Sequence, residues 1–381
     1  MDTSAADDHS DEPLTPVGRL LLQPEMNQII HCAMGFKNSI DIDAVKSHLK
    51  TSLLLSHPRF SSLMLRDSRG LQHWHNAPYV DLDRHIIVIQ NPVTTSPVDH
   101  ETAVNEYLAD LSTSSTRLSA NKPLWELHLL MAHNCGVFRI HHALGDGVSV
   151  MSLFLESFRT RGSDGNEEKI LGRGRRKRVN GEKGWWGLLI GYVGTLWFSL
   201  VFLVEHAMRS LWLCDQKTAI SGGEGVELWP RKLATARFRL QDMKLVKKAV
   251  PNATINDVLV GVVSSGLSRY LDHQTPNALH DGIRITGLAM VNLRKQPGLQ
   301  VASWLLYKMV CNTSFTISNI LGPQEEIAIG GNLVTYLKVN TCSLPQALTM
   351  HMVSYAERAD LQILVAKDII PDPTFLAKCF E

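Results

Sequence analysis

At 381 residues the chain is long enough for two domains of ordinary size, or one large domain with an insertion. Hydrophobic residues make up 44% and charged residues 20%, which excludes intrinsic disorder, collagen and coiled coil. The 38 basic and 37 acidic side chains leave a net charge of +1, so no chain-wide field favours a nucleic acid.

In chain order, Met1 to Glu12 carries five acids and no Lys or Arg, which argues against a secretory signal and for a disordered acidic tail over residues 1–13. An N-terminal α/β lobe follows over 14–160. Val45, Leu49 and Leu53, and then Val104, Leu108 and Leu111, recur at helical spacing. Trp125, Leu127, Leu129 and Met131 alternate with other residues as a strand does. The turn at Asn134, Cys135 and Gly136 then leads into Val137 to Ile140, so a hairpin is expected. Val150, Phe154 and Phe158 predict a helix directly afterwards.

Residues 161–225 read as a basic linker followed by a membrane-associated segment. Five of the six residues from Arg173 to Arg178 are basic, and Trp185 to Val204 runs for 20 residues without a charge. A helix of that length can cross a bilayer, and basic residues and tryptophans at its entry favour the cytosolic face. A C-terminal lobe over 226–381 contains a helix capped at Thr254 with Asp257 as its third residue. A hairpin joins Leu348–Tyr355 to Leu361–Ala366, and a short final helix begins at Asp372. The six cysteines are scattered, with no CxxC and no His partner at ligand spacing, which fits thiols in a reducing compartment and no metal site.

The sharpest chemical signal is His141-His142-Ala143-Leu144-Gly145-Asp146-Gly147, an HHxxxDG pattern between a strand end and a helix start. Adjacent strand residues point to opposite faces, so one histidine can face a given cleft and a paired-histidine metal site is disfavoured. A histidine near neutrality can remove a proton from an alcohol. Asp146 can fix the loop and Gly147 permits close backbone approach. The competing reading is two loop histidines followed by ordinary Asp-Gly turn chemistry.

These residues resemble the plant-type bifunctional wax ester synthase/acyl-CoA:diacylglycerol acyltransferases, within the HHxxxDG acyltransferase superfamily. The resemblance runs in order through nearly the whole chain. It takes in Pro13-Leu14-Thr15-Pro16, His57-Pro58-Arg59-Phe60-Ser61-Ser62, Pro123-Leu124-Trp125-Glu126, Asn256-Asp257-Val258-Leu259, Val291-Asn292-Leu293-Arg294, Ser318-Asn319-Ile320-Leu321-Gly322-Pro323 and Ile370-Pro371-Asp372-Pro373.

The resemblance implies a chloramphenicol-acetyltransferase-like α/β fold of two lobes with a tunnel between them. It implies His142 as general base and Asp146 as a structural member of the catalytic motif, with His141 and Gly147 in support. Asn256 and Asp257 form a second motif, either stabilising an oxyanion and shaping the tunnel or merely capping a helix. The implied reaction moves a fatty acyl group from acyl-CoA, as co-substrate and with no bound cofactor, to a long-chain alcohol or to diacylglycerol. Membrane lipid is an implied partner, a homo-oligomer is left open, and the expected place is the cytosolic face of the endoplasmic reticulum membrane, with the plasma membrane as the alternative.

Two features strain this reading. A single crossing by Trp185–Val204 would put the lobes on opposite sides of the membrane, so the segment is expected to lie in one leaflet. Against the family pattern a block is also missing between Gln300 and Val301, leaving the second lobe incomplete, and the sequence stops inside the final helix. The alternatives are therefore a catalytically impaired, membrane-associated or subunit-binding isoform, and another HHxxxDG acyltransferase. Among the latter, a peptide-synthetase condensation domain is disfavoured by the lack of carrier modules, and a BAHD-type enzyme by the absence of DFGWG.

Overall fold

The computed structural model describes residues 12–22, 27–68, 70–77, 79–94, 99–113, 118–145, 149–150, 153, 157, 185–223, 225–276, 283–289, 307–342 and 344–381. The basic cluster, the Gln300/Val301 junction, Asp146, Gly147 and most of the predicted helix beyond Val150 lie outside them.

The first elements are β1 (Glu12–Pro13), α1 (Pro16–Leu21), β2 (Ile29–Phe36), α2 (Ile42–Lys50) and α3 (Leu53–Ser56). They are followed by β3 (Ser62–Arg66), β4 (Gln72–Asn76), α4 (Leu82–His85), β5 (Ile86–Ile89), α5 (His100–Leu111), β6 (Trp125–Leu130) and β7 (Cys135–His141). Asp41 caps α2 and Asp99 caps α5, each accepting backbone N–H groups of the first turn. Glu12 and Pro13, at the end of the expected tail, pair with Trp74 and His73 on β4, and the rest of that tail lies outside the described residues.

Beyond the first lobe come α6 (Trp185–Leu211), β8 (Arg231–Arg239), α7 (Leu240–Lys248), α8 (Ile255–Gln274), β9 (Gly287–Ala289) and β10 (Phe315–Leu321). The chain ends with β11 (Ala328–Ile329), β12 (Asn332–Thr341), β13 (Leu348–Tyr355), β14 (Arg358–Ala366) and α9 (Pro373–Phe380). The expected terminal hairpin is β13–β14, with Ala356 in the left-handed region at φ 50 where the chain reverses.

Two larger sheets carry the molecule. One has the order β11-β12-β2-β7-β6-β5 and the other β8-β14-β13-β10-β9. The lobe boundary near 226 read from the sequence therefore needs correction. Strand β12, from the C-terminal segment, pairs with β2 from Val334↔Phe36 to Thr341↔Ile30 and completes the sheet of the first lobe. Alternation along the strands divides that sheet into two faces. One face carries Ile30, Met34, Leu127, Phe138, Ile140 and Val339 into a core with Val45 and Leu49 of α2. The other carries Ala33, Leu130 and Val137 against Val104 and Leu108 of α5 and against Leu233 and Leu364 of the second sheet. The outer face of the second sheet packs Ile317, Met350, Met352 and Ile363 under α8 and α9.

Helix α6 is unlike every other element. Consecutive residues Leu196, Trp197 and Phe198 are 53%, 62% and 72% exposed, so the helix has no buried side along this stretch. Its C-terminal end is fixed to the second lobe. Arg209 pairs with Asp215 at 3.1 Å, Asn312 Nδ2 donates to the Arg209 carbonyl at 2.7 Å, and Asp215 also accepts from the hydroxyls of Thr286 and Ser314 at the starts of β9 and β10.

Candidate active site

The two motif histidines part company at the end of β7. His141 is the last strand residue and is 2% exposed; His142 opens a 3-10 turn over His142–Leu144 and is partly exposed. His141 Nδ1 accepts the Ala143 N–H at 3.1 Å, so its proton sits on Nε2, which donates to Asn27 Oδ1 at 2.9 Å. Burial, and then the charge of His142, hold the His141 pKa down to about 3. It is a neutral imidazole that braces the loop, and both its nitrogens are used. The backbone of His142 is held separately, its N–H donating to the Gln28 carbonyl at 2.9 Å.

Directly across β2 lies the end of β12. Cys342 N–H donates to the Ile29 carbonyl at 3.2 Å, and Thr341 pairs with Ile30. Thr341 Oγ1 meets His351 Nε2 of β13 at 3.0 Å, while His351 Nδ1 is buried without a partner. Burial first, and second an electrostatic interaction with His142, lower the His351 pKa to about 4. The three strands β7, β2 and β12 and the facing strand β13 thus bring His142, Gln28, Thr341 and His351 to one place. Of these, His142 alone stands in a motif legible in the sequence. His351 and Gln28 gave no local signal, because what marks them is a long-range pairing.

The second predicted motif sits elsewhere. Thr254 and Asp257 make a reciprocal capping box, with Asp257 Oδ2 accepting the Thr254 N–H at 2.6 Å and Thr254 Oγ1 accepting the Asp257 N–H at 3.3 Å. Asn256 Oδ1 accepts from Asn319 Nδ2 at 2.7 Å. Asn319 shares its side of β10 with Phe315 and Ile317, which pack under α8, whereas His351 lies on the opposite side of that sheet with Val353 and Tyr355. Asn256 and Asp257 therefore bind α8 to the SNILGP strand and are not brought to His142.

Trp125 is core, as its strand periodicity implied. It is fully buried, stacks on His85 at 4.0 Å between ring centroids and donates Nε1–H to the Phe60 carbonyl at 2.9 Å, which ties the PLWE and HPRFSS segments together. Beside it, Glu126 anchors a buried polar seam. Burial raises its pKa, but hydrogen bonds from His128 and Lys122 and the charge of Arg139 outweigh that and bring it to about 2. Among the described residues no group of three or more His, Cys, Asp or Glu is placed to hold a metal ion.

Residues 42–259 match the family described as wax ester synthase/diacylglycerol acyltransferase catalytic domain, and residues 284–381 match the WS/DGAT C-terminal domain. Wax ester synthase/diacylglycerol acyltransferase 11 of Arabidopsis thaliana is 28% identical, with 95% of this chain and 92% of the relative aligned. Number 5 of the same plant is 28% identical over 98% and 92%. Among solved structures, the wax ester synthase/diacylglycerol acyltransferase of Marinobacter aquaeolei VT8 superposes with a TM-score of 0.60 at 16% identity, covering 97% of this chain and 98% of that one. The first condensation domain of the CDA synthetase gives 0.53 at 12% identity over 98% and 96%, which reflects the shared two-lobe fold.

Proposed function

The chain belongs to the wax ester synthase/diacylglycerol acyltransferase family of acyl-CoA-dependent O-acyltransferases, and we propose that it esterifies a long-chain alcohol or diacylglycerol with a fatty acyl group, using His142 as general base. The observation that carries this reading is the division of labour between the paired histidines. His141 has both nitrogens engaged and is kept neutral by burial, which leaves the partly exposed His142 as the imidazole that can meet a substrate.

The chemistry follows from that placement. His142 takes the acceptor hydroxyl proton as the oxygen attacks the thioester carbon. When the tetrahedral adduct collapses and the C–S bond breaks, the same proton passes to the sulfur of the departing CoA. His141 and Asn27 hold the turn that aims His142. Asp146, three residues beyond Ala143, belongs in this reading to the loop's structure and not to the proton path. Acyl-CoA is a co-substrate, and the residues of the site supply the acid–base chemistry themselves.

Helix α6 serves as the membrane contact in this account. At 27 residues and 1.5 Å per residue it is roughly 40 Å long. Residues Gly191–Leu211 have the length and composition of a span, and their most apolar stretch is not buried inside the protein. Yet β2 and β7, before the helix, and β12, after it, share one sheet, so both flanks of α6 must lie on the same side of the bilayer. A return crossing would draw the Arg173–Arg178 cluster through hydrocarbon, at several kcal/mol per charge. In this reading the helix lies within one leaflet on the cytosolic face of the endoplasmic reticulum, where its neighbours include the apolar acceptors.

One observation favours a second reading, a catalytically impaired membrane-associated form. The alignments with the plant relatives extend over 460 and 477 positions, more than the 381 residues of the chain, so the relatives carry residues for which this chain has no counterpart. Incubating microsomes with labelled palmitoyl-CoA and either hexadecanol or diacylglycerol separates the two. Ester from either acceptor supports the enzyme, and no ester from both supports the impaired form.

A further inference from the structure

Building on that acyltransfer reading, we propose that His351 and Gln28 form the oxyanion pocket of the reaction, with His351 Nδ1–H and Gln28 Nε2–H donating to the carbonyl oxygen of the thioester as it becomes negative. Two buried polar atoms are orphans. His351 Nδ1 and Gln28 Nε2 are buried polar atoms without a hydrogen-bond partner, on residues that are 3% and 1% exposed. An unsatisfied buried polar group costs about 1–3 kcal/mol and is ordinarily met by protein, water or ligand.

Both orphans belong to the neighbourhood of His142. Gln28 holds His142 through its backbone carbonyl, and His351 is tied through Thr341 to the strand end that pairs with Ile30. Alternation puts them on one face of the first sheet. Gln28 follows the parity of Ile30 and Cys32, Thr341 that of Leu337 and Val339, and His142 lies opposite in parity to His141. His351 shares its side of β13 with Val353 and Tyr355, which join that same core.

Of the two tautomers that the 3.0 Å Thr341 contact allows, this role takes the one in which the Thr341 hydroxyl donates to His351 Nε2 and the ring proton sits on Nδ1. A neutral imidazole donor beside a general base is suited to this step. It stabilises the negative oxygen without adding a cation that would hold His142 unprotonated or tempt the developing alkoxide away. As the acceptor oxygen bonds to the carbonyl carbon, the C=O π pair moves onto oxygen and meets the two N–H groups. The pair returns as C–S breaks, with the proton on His142 passing to sulfur.

The test uses the full chain in microsomes and the geometry of histidine replacements. His351→Asn keeps a donor at the Nδ1 position, whereas His351→Gln keeps a group at Nε2, facing Thr341, and removes Nδ1. We expect kcat to fall about 100-fold in His351→Gln and about tenfold or less in His351→Asn, with KM for palmitoyl-CoA changed less than threefold in both; losing one oxyanion donor typically costs 10²–10³. Gln28→Glu, which exchanges the amide donor for an acceptor, is expected to resemble His351→Gln. Equal activity of the two His351 variants, with both folded by circular dichroism, would overturn the assignment while a dead His142→Ala variant left the acyltransfer reading intact. A binding measurement covers the case of no turnover. A trifluoromethyl ketone analogue of palmitoyl-CoA, whose carbonyl carbon becomes tetrahedral on hydration, is expected to bind at least about 30-fold more weakly to His351→Gln than to wild type. Unchanged binding in that variant would contradict the proposal.

Discussion

Asn27 accepts the Nε2 proton of His141 at 2.9 Å, and that bond holds the buried imidazole in one tautomer beside His142. With Nδ1 already accepting the Ala143 N–H, His141 is a brace, and the turn that follows presents His142. His141→Ala removes both bonds from a buried site. The expected outcome is a loss of about 2 kcal/mol of stability and a fall in kcat of about 10- to 100-fold. Asn27→Ala should give a smaller version of the same kinetic change. Thermal unfolding and initial rates check the pair, and an unchanged kcat in His141→Ala would remove the bracing role.

The Thr254 capping box predicts a stability effect without a chemical one. Thr254→Ala leaves the α8 N-terminus without its side-chain acceptor and should cost about 1 kcal/mol. Because that end lies on the helix-covered side of the second sheet, kcat of the folded protein should stay within twofold of wild type. A kcat loss of tenfold or more at unchanged fold would return Asn256 and Asp257 to the reaction centre.

Acid sensitivity follows from the buried histidines. In the unfolded chain a histidine takes up its proton near pH 6.5, whereas folded His141 and His351 stay neutral until about 3 and about 4. The unfolded state therefore binds more protons between those limits. Stability from these groups is complete above pH 6.5 and is lost as pH falls from there towards 4, by about 1.4 kcal/mol per pH unit at most for each. Glu126, whose pKa is lowered, adds its own loss as the pH drops below about 4.5. Denaturant midpoints measured from pH 7.5 to 4.5 should decline, and replacing His351 by Gln should flatten the decline.

Membrane association tests the exposed helix. Trp197→Lys together with Phe198→Glu places charges on a segment with no buried side, and should move the protein from the membrane pellet to the supernatant without lowering its unfolding midpoint by more than about 0.5 kcal/mol. Protease treatment of sealed microsomes should cleave both lobes. Protection of one lobe alone would overturn the in-leaflet placement.

Much of this was legible in the sequence, for physical reasons that differ by element. The β6–β7 hairpin, helix α5, the Thr254 cap and the β13–β14 hairpin are local, with spacing or turn residues that report them directly. The strand β2 is not, because Ile29–Phe36 is buried on both faces and so shows no alternation. Strand β12 was missed as a member of the first lobe because its partner lies some 300 residues away in the chain, and nothing in Asn332–Thr341 records that distance. The HHxxxDG motif is legible because its residues are contiguous. His351 and Gln28 are indistinguishable from ordinary core polar residues until β12 joins β2 and draws β13 across the site.

The most direct test of the account is acyl transfer by full-length protein in microsomes, with labelled palmitoyl-CoA and hexadecanol or diacylglycerol, in wild type and His142→Ala side by side. The account predicts labelled ester from the wild type and a loss of at least about 100-fold in the variant, with both proteins equally folded and equally membrane-bound. Equal ester formation by His142→Ala would contradict it.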